Sequence, residues 1–220
     1  MSDQTVFVQK GTPSSPLIVL NSFGDEWKHV VDSLDQMGIS SYSMLAVMCS
    51  EWNKELAPWD AKAVFKGEPD FEGGAVLYLE RLTKEIIPET VKTYGLDPSS
   101  FYIAGYSMAG LFALYSLYET DVFAGAASCS GSLWFPGFKD YVFENSFKGT
   151  PKKIYMSLGD REARTKNKIM ATVEDNTRAV AEHYKDLVAD VCFEMNQGGH
   201  FTDPAQRTAR GIDFLLGQNC

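Results

Sequence analysis

The stretch SFYIAGYSMAGLFALY, residues 100–115, decides how the rest of the chain is read. An apolar run rich in aromatic residues ends at Gly105, and a helical pattern opens directly behind it. That order predicts a strand, a tight turn and a helix, with Ser107 at the apex. On such a turn a serine Oγ projects above the sheet, and the backbone N–H of the next residue, here Met108, can face a developing oxyanion. The pattern G-x-S-x-G wants glycine where this chain has Ala109. The crowded turn needs little side-chain volume on either side, and Gly105, Ala109 and Gly110 are all small. The motif alone is weak: with alanine allowed, about one chain in five of this length matches by chance. A serine that merely caps a helix gives the same local sequence.

On either side of this turn, short β-branched or aromatic runs recur at TVFVQ, PLIVLNS, MLAVMCS, FAGAASCS, KIYMSLG and VCFEMN. Helical patterns separate the later ones. Residues 75–94 place Leu77, Leu82, Ile86 and Val91 near one face, with Pro88 expected to kink or break the helix. Residues 167–188 repeat Ile169, Val173, Val180, Tyr184 and Leu187 at helical spacing, and residues 204–216 close a last helix on Phe214, Leu215 and Leu216. The first two strands are placed to form a hairpin. The others read as βαβ units, which predicts an α/β domain with a mostly parallel sheet covered by helices on both faces. In such folds the chemistry gathers at the carboxyl ends of the strands.

The 220 residues fit one catalytic domain, residues 1–220, with an ordinary 45% apolar content. A net charge of −9 argues against nucleic acid or an anionic membrane as partner. The start of the chain shows no signal peptide, and runs such as PLIVL and MLAVMC are too short to span a bilayer. Cys49, Cys129, Cys192 and Cys220 form no C-x-x-C pair. The first three fall in apolar, strand-like runs, where buried free thiols are expected, so a reducing cytoplasm is the expected compartment.

A serine nucleophile needs a base, and the chain has three histidines. His29 lies in an early helical pattern, and His183 beside inward-facing Tyr184 on a long helix. His200 follows the strand VCFEMN in QGGHFTDP, where two glycines let the chain turn the imidazole over the sheet. The orienting acid follows KIYMSLG, in DREART. Asp160 and Glu162 are both candidates; the usual spacing of three residues after the strand-ending glycine gives slight preference to Glu162. The order Ser107, acid, His200 is that of α/β-hydrolases. A second oxyanion donor is expected from Phe23, just past PLIVLNS, where Asn21 and Ser22 replace the histidine and glycine often found there. Trp27, Trp52, Trp134 and Phe201 are candidates for the wall of an apolar acyl or aryl pocket. Residues 50–74 lack clear periodicity and read as a rim over the site, so the lid is minimal.

Together the segments LTKEIIPETVKTYGLDPSSFYIAGYSMAGLFALY, FAGAASCSGSLWFPGF, SLGDRE and QGGHF make the chain resemble the putative esterase family of α/β-hydrolases. That group includes esterase D-like and enterochelin-esterase-like proteins. The resemblance runs from about Leu17 onward. It implies an α/β-hydrolase fold with Ser107 as nucleophile, His200 as base and the acid within Gly159–Glu162. It further implies a small-molecule carboxylic ester as substrate, no cofactor and no metal, and it leaves room for a homodimer. Thioester hydrolysis or acyl transfer on the same triad stays open, as does a ligand-binding protein that keeps the fold without turnover.

Overall fold

The computed structural model describes residues 4–64, 67–217 and 220. The apolar run at Leu17–Ser22 (β2) is buried along its whole length, as a strand covered on both faces must be. Its residues alternate between two cores. Leu17 and Val19 join one, with Ile103 and Phe112; Ile18 and Leu20 join the other, with Met44 and Ile212. Seven strands form the sheet: β1 (Gln4–Gln9), β2, β3 (Ser43–Met48), β6 (Phe101–Tyr106), β7 (Gly125–Cys129), β8 (Lys153–Gly159) and β9 (Asp190–Asn196), in the spatial order β1-β3-β2-β6-β7-β8-β9. All neighbours run parallel except β1, which is antiparallel to β3. Two-residue strands β4 (Asp60–Ala61) and β5 (Phe71–Glu72) pair apart from it. Helix α1 (Glu26–Gln36) and helix α8 (Pro204–Leu216) pack on one face with the second core. Helix α5 (Met108–Glu119) and helix α7 (Val173–Lys185) pack on the other with the first. This is an α/β-hydrolase fold.

Several sequence expectations need correction. The first two strands do not form a hairpin. Half-exposed β1 can serve only as an edge, whereas fully buried β2 needs a neighbour on each side and takes β3 and β6. Pro88 does not break the helix over 75–94. The helix widens instead into a π-turn at Leu82–Ile86, and the Ile87 N–H bonds back to Leu82 O, five residues away. Ahead of the π-turn Tyr78, Leu79 and Leu82 face inward while Leu77 is 73% exposed, and behind it the inserted residue brings Ile87 to the buried face. On the later helix Val173, Val180 and Tyr184 are buried, but Ile169 and Leu187 lie exposed beyond its ends. Cys192 is not a free thiol: it forms a disulfide with Cys220. The cysteines therefore no longer argue for a reducing compartment. Among the described residues no helix is long and apolar enough to cross a membrane.

Candidate active site

The turn after β6 is as tight as its sequence implies. Ser107 has φ 58° and ψ −122°, a conformation that costs a non-glycine residue about 1–3 kcal/mol. Three backbone bonds hold it there: Ser107 N–H to Cys129 O at 3.1 Å, and Ser132 N–H at 3.0 Å and Leu111 N–H at 3.1 Å to Ser107 O. A Cβ on Gly105 would lie 2.4 Å from the carbonyl carbon and 2.5 Å from the Cβ of Ala109. The alanine methyl thus occupies the room available, and position 105 must be glycine in return.

Ser107 Oγ lies 3.1 Å from His200 Nε2, and His200 Nδ1 lies 2.8 Å from Glu162 Oε2. The other carboxylate oxygen, Oε1, accepts from Gly159 N–H at 2.6 Å, Ser130 Oγ at 2.8 Å and Arg207 Nη1 at 3.2 Å. Burial alone would raise the Glu162 pKa, but the bonds and charge from His200, with those from Gly159 N–H and Ser130, hold it below the ordinary value. Asp160, the other candidate, has its contacts elsewhere, on Gly198 and Arg161. Its Oδ1 accepts from Gly198 N–H at 2.7 Å and braces the turn that carries the histidine. Of the two acids, Glu162 is the one that meets the imidazole.

Phe23 stands just past β2 and lines the same cavity as Ser107 and His200, its ring set edge-on to Trp52 at 5.5 Å. Met108 begins α5, where first-turn N–H groups have no acceptor within the helix. The preceding polar residues do local work. Asn21 Oδ1 accepts from the Tyr78 hydroxyl, and Ser22 Oγ accepts from Trp27 N–H at 3.0 Å.

The cavity holds about 390 Å³, and Trp52 and Phe201 line it as expected. Trp27 and Trp134 do not. The Trp27 ring packs into the core beneath α1, and Trp134 packs against the core beside Phe71 and Phe135. Among the described residues of the segment 50–74, Trp52 is the one that reaches this cavity. Glu51, Lys54, Glu68, Asp70 and Glu72 line a neighbouring one of about 410 Å³ that shares Phe23 and Trp52, so the segment flanks the site more than it covers it. Residues 65–66 of that expected rim lie outside the described residues.

A family model described as putative esterase matches residues 14–202. The chain belongs to the putative esterase family. YbbA of Bacillus subtilis (strain 168), an uncharacterised protein, is 24% identical over 173 residues, covering 75% of this chain and 69% of its own. Among solved structures, siderophore hydrolase EstA from Aspergillus nidulans superposes with a TM-score of 0.76 at 17% identity, covering 92% of this chain and 82% of its own. An IroE-like serine hydrolase from Shewanella oneidensis gives 0.74 at 17%, covering 97% and 74%. At such identities the likeness is one of fold; the family is what marks this esterase as a hydrolase.

Sequence reasoning missed much of the esterase's site. Glu26, His29 and Val30 line the cavity from α1. Their i, i+3, i+4 spacing beside a proposed oxyanion loop was the available signal. Burial raises the Glu26 pKa, partly offset by nearby His29. Ser132 Oγ lies 3.3 Å from Ser107 Oγ. Tyr106 donates its hydroxyl to His200 O at 2.5 Å, and burial pushes its pKa up to about 12, so it stays a neutral donor. Ser130 and Arg207, both on Glu162, carry no local sequence signature at all.

Proposed function

We propose that the esterase is a serine carboxylic ester hydrolase that works through an acyl-enzyme. The contact chain Ser107 Oγ–His200 Nε2–Glu162, at 3.1 and 2.8 Å, carries the reading. With the Nδ1 proton donated to Glu162, Nε2 offers its lone pair to the serine hydroxyl. Ser107 Oγ attacks the ester carbonyl as His200 takes its proton. The carbonyl oxygen becomes an oxyanion held by the N–H groups of Met108 and Phe23. Collapse expels the alkoxide, which takes the proton from His200 and leaves as the alcohol. Water, deprotonated by His200, then attacks the acyl carbonyl, and Ser107 departs reprotonated. Every proton and electron pair in these steps is supplied by Ser107, His200, the ester and water. The exposed rings of Phe23 and Phe201 and the indole of Trp52 give the cavity an apolar mouth suited to an acyl or aryl group.

A fluorophosphonate probe should label the protein at Ser107, and Ser107→Ala should lose hydrolysis of short aryl esters by about 10⁴-fold or more. An alanine variant with wild-type turnover refutes the mechanism.

A further inference from the structure

Among the described residues Arg207 is the largest fully buried side chain, 1% exposed. It sits one turn into α8, near the positive end of the helix dipole, where a cation is disfavoured, and burial of its charge is a second cost. Its surroundings offset both. Nη1 lies within bonding distance of Tyr106 Oη at 3.3 Å, Ser130 Oγ at 3.0 Å and Glu162 Oε1 at 3.2 Å, and Nη2 donates to Gln197 O at 3.1 Å. Tyr106 ends β6, Ser130 follows β7, Glu162 follows β8 and Gln197 follows β9, so one planar group ties the carboxyl ends of four adjacent strands. Tyr106 also immediately precedes Ser107 and holds the His200 carbonyl. The guanidinium therefore touches, directly or through one hydroxyl, the segment bearing each member of the proposed triad.

We propose that Arg207 is the positioning residue of this triad: it pins Glu162 through Oε1 so that Oε2 meets His200, and its charge offsets that of Glu162 at the imidazole, extending activity to lower pH. This rests on the serine-hydrolase reading above. The charged and titratable groups around His200 are Glu162 after β8, Tyr106 on β6 and Arg207 on α8. Glu26 and His29 of α1 line the same cavity, and Asp160, Arg161 and Asp203 lie in the adjoining turns. Among the described residues Arg207 is the one cation paired with the Glu162 carboxylate besides His200 itself. Removing it leaves the acid's field on the imidazole unopposed.

The test is kcat/KM against pH for an activated aryl ester, on the full chain, for wild type, Arg207→Lys and Arg207→Met. Lysine keeps the charge and loses the fork, so kcat should fall about 10-fold with KM and the acid limb unchanged. Methionine loses both, so kcat should fall about 100-fold and the acid limb should move up by about one pH unit. Wild-type kcat in Arg207→Lys overturns the positioning role, and an acid limb that stays put or moves down in Arg207→Met overturns the electrostatic one. A merely structural arginine would lower Tm while leaving the kcat of the folded variants and the limb in place, which also overturns the proposal. If Arg207→Met does not fold, Arg207→Lys decides: a kcat loss at constant KM supports the proposal, and no loss defeats it. Ser107→Ala, assayed alongside, separates the two levels. Wild-type turnover there sinks the serine reading, whereas a loss of about 10⁴-fold in the alanine variant together with wild-type profiles in the Arg207 variants sinks only the role of Arg207.

Discussion

Replacing Glu162 with glutamine tests the acid in one atom-for-atom exchange. Oε1 of Glu162 sits among three donors, Gly159 N–H, Ser130 Oγ and Arg207 Nη1, and Oε2 faces His200 Nδ1. An amide has one oxygen, and the three donors claim it. The NH2 group must then point at Nδ1, which can accept it only by giving up its proton. The imidazole is left with its proton on Nε2, facing Ser107 Oγ and unable to take the serine proton. An amide in the acid's place costs about 10⁴-fold in kcat by this wrong-tautomer effect, equivalent to about 5 kcal/mol of barrier. Stability falls too. Breaking a buried ion pair costs about 3–5 kcal/mol, and the amide oxygen still accepting from Arg207 keeps the loss near the lower end. Asp160→Asn loses the charge on a bond to Gly198 N–H and on a loose, exposed pair with Arg161 Nε at 3.9 Å, so its kcat should drop less than 10-fold. Steady-state kinetics on a chromogenic ester, with denaturant melts to confirm folding, provide the assay. Near-wild-type kcat in Glu162→Gln together with a loss of orders of magnitude in Asp160→Asn would refute the assignment.

Gly105→Ala drives a methyl to 2.4 Å from backbone of Ala109. It should cost about 1–3 kcal/mol of stability and lower kcat by displacing the turn; wild-type Tm and kcat would contradict the steric account. The pKa of Glu162 is lower in the folded protein than its ordinary 4.5, so its contribution to stability is complete above that pH and is lost as pH falls through the folded-state value. Wild-type Tm should therefore drop more steeply below pH 4.5 than that of Glu162→Gln, and parallel slopes would speak against it. The disulfide closes a sequence separation of 28 residues, for which loop entropy predicts about 3.6 kcal/mol. Cys192→Ala should lower stability by up to that amount, measured by chemical denaturation without reductant, and an unchanged midpoint would count against the bond. Glu26→Gln should reduce the preference for esters bearing an ammonium group over neutral ones by about 2- to 5-fold in kcat/KM; an unchanged ratio would remove Glu26 from the substrate wall.

The strands and the turn serine were legible because each is local. A buried parallel strand is a continuous apolar run, and the serine turn shows its small neighbours within a few residues. The order of Ser107, acid and His200 was legible because each follows its own strand. Between Asp160 and Glu162 the three-residue spacing from Gly159 gave Glu162 only a slight preference; its Oε2 lies 2.8 Å from His200 Nδ1. What escaped is what depends on distant partners. The acceptors of Arg207 lie at positions 106, 130, 162 and 197, so no window of sequence holds them together. Leu77 was assigned to the wrong face because it stands five residues from Leu82, about 140° round the helix, whereas Ala75, Tyr78, Leu79 and Leu82 hold the buried stripe. The tryptophans were misjudged because proximity to a strand end does not say which way an indole packs. Trp27 is one position round the helix from Glu26, and that rotation of about 100° turns it from the cavity to the core.

The clamp of four strand ends on one guanidinium also divides the molecule by how freely it can change. Near their first residues, the loops after β6, β7, β8 and β9 must present fixed atoms to Arg207, so substitution or insertion there disturbs the whole constellation at once. The opposite wall of the cavity, formed by Glu26, His29 and Trp52, has no share in that clamp or in the proposed oxyanion hole. New substrate preferences in this scaffold, whether selected or engineered, have their open ground on that wall, and libraries confined to it can alter what is bound while leaving the machinery that cleaves it untouched.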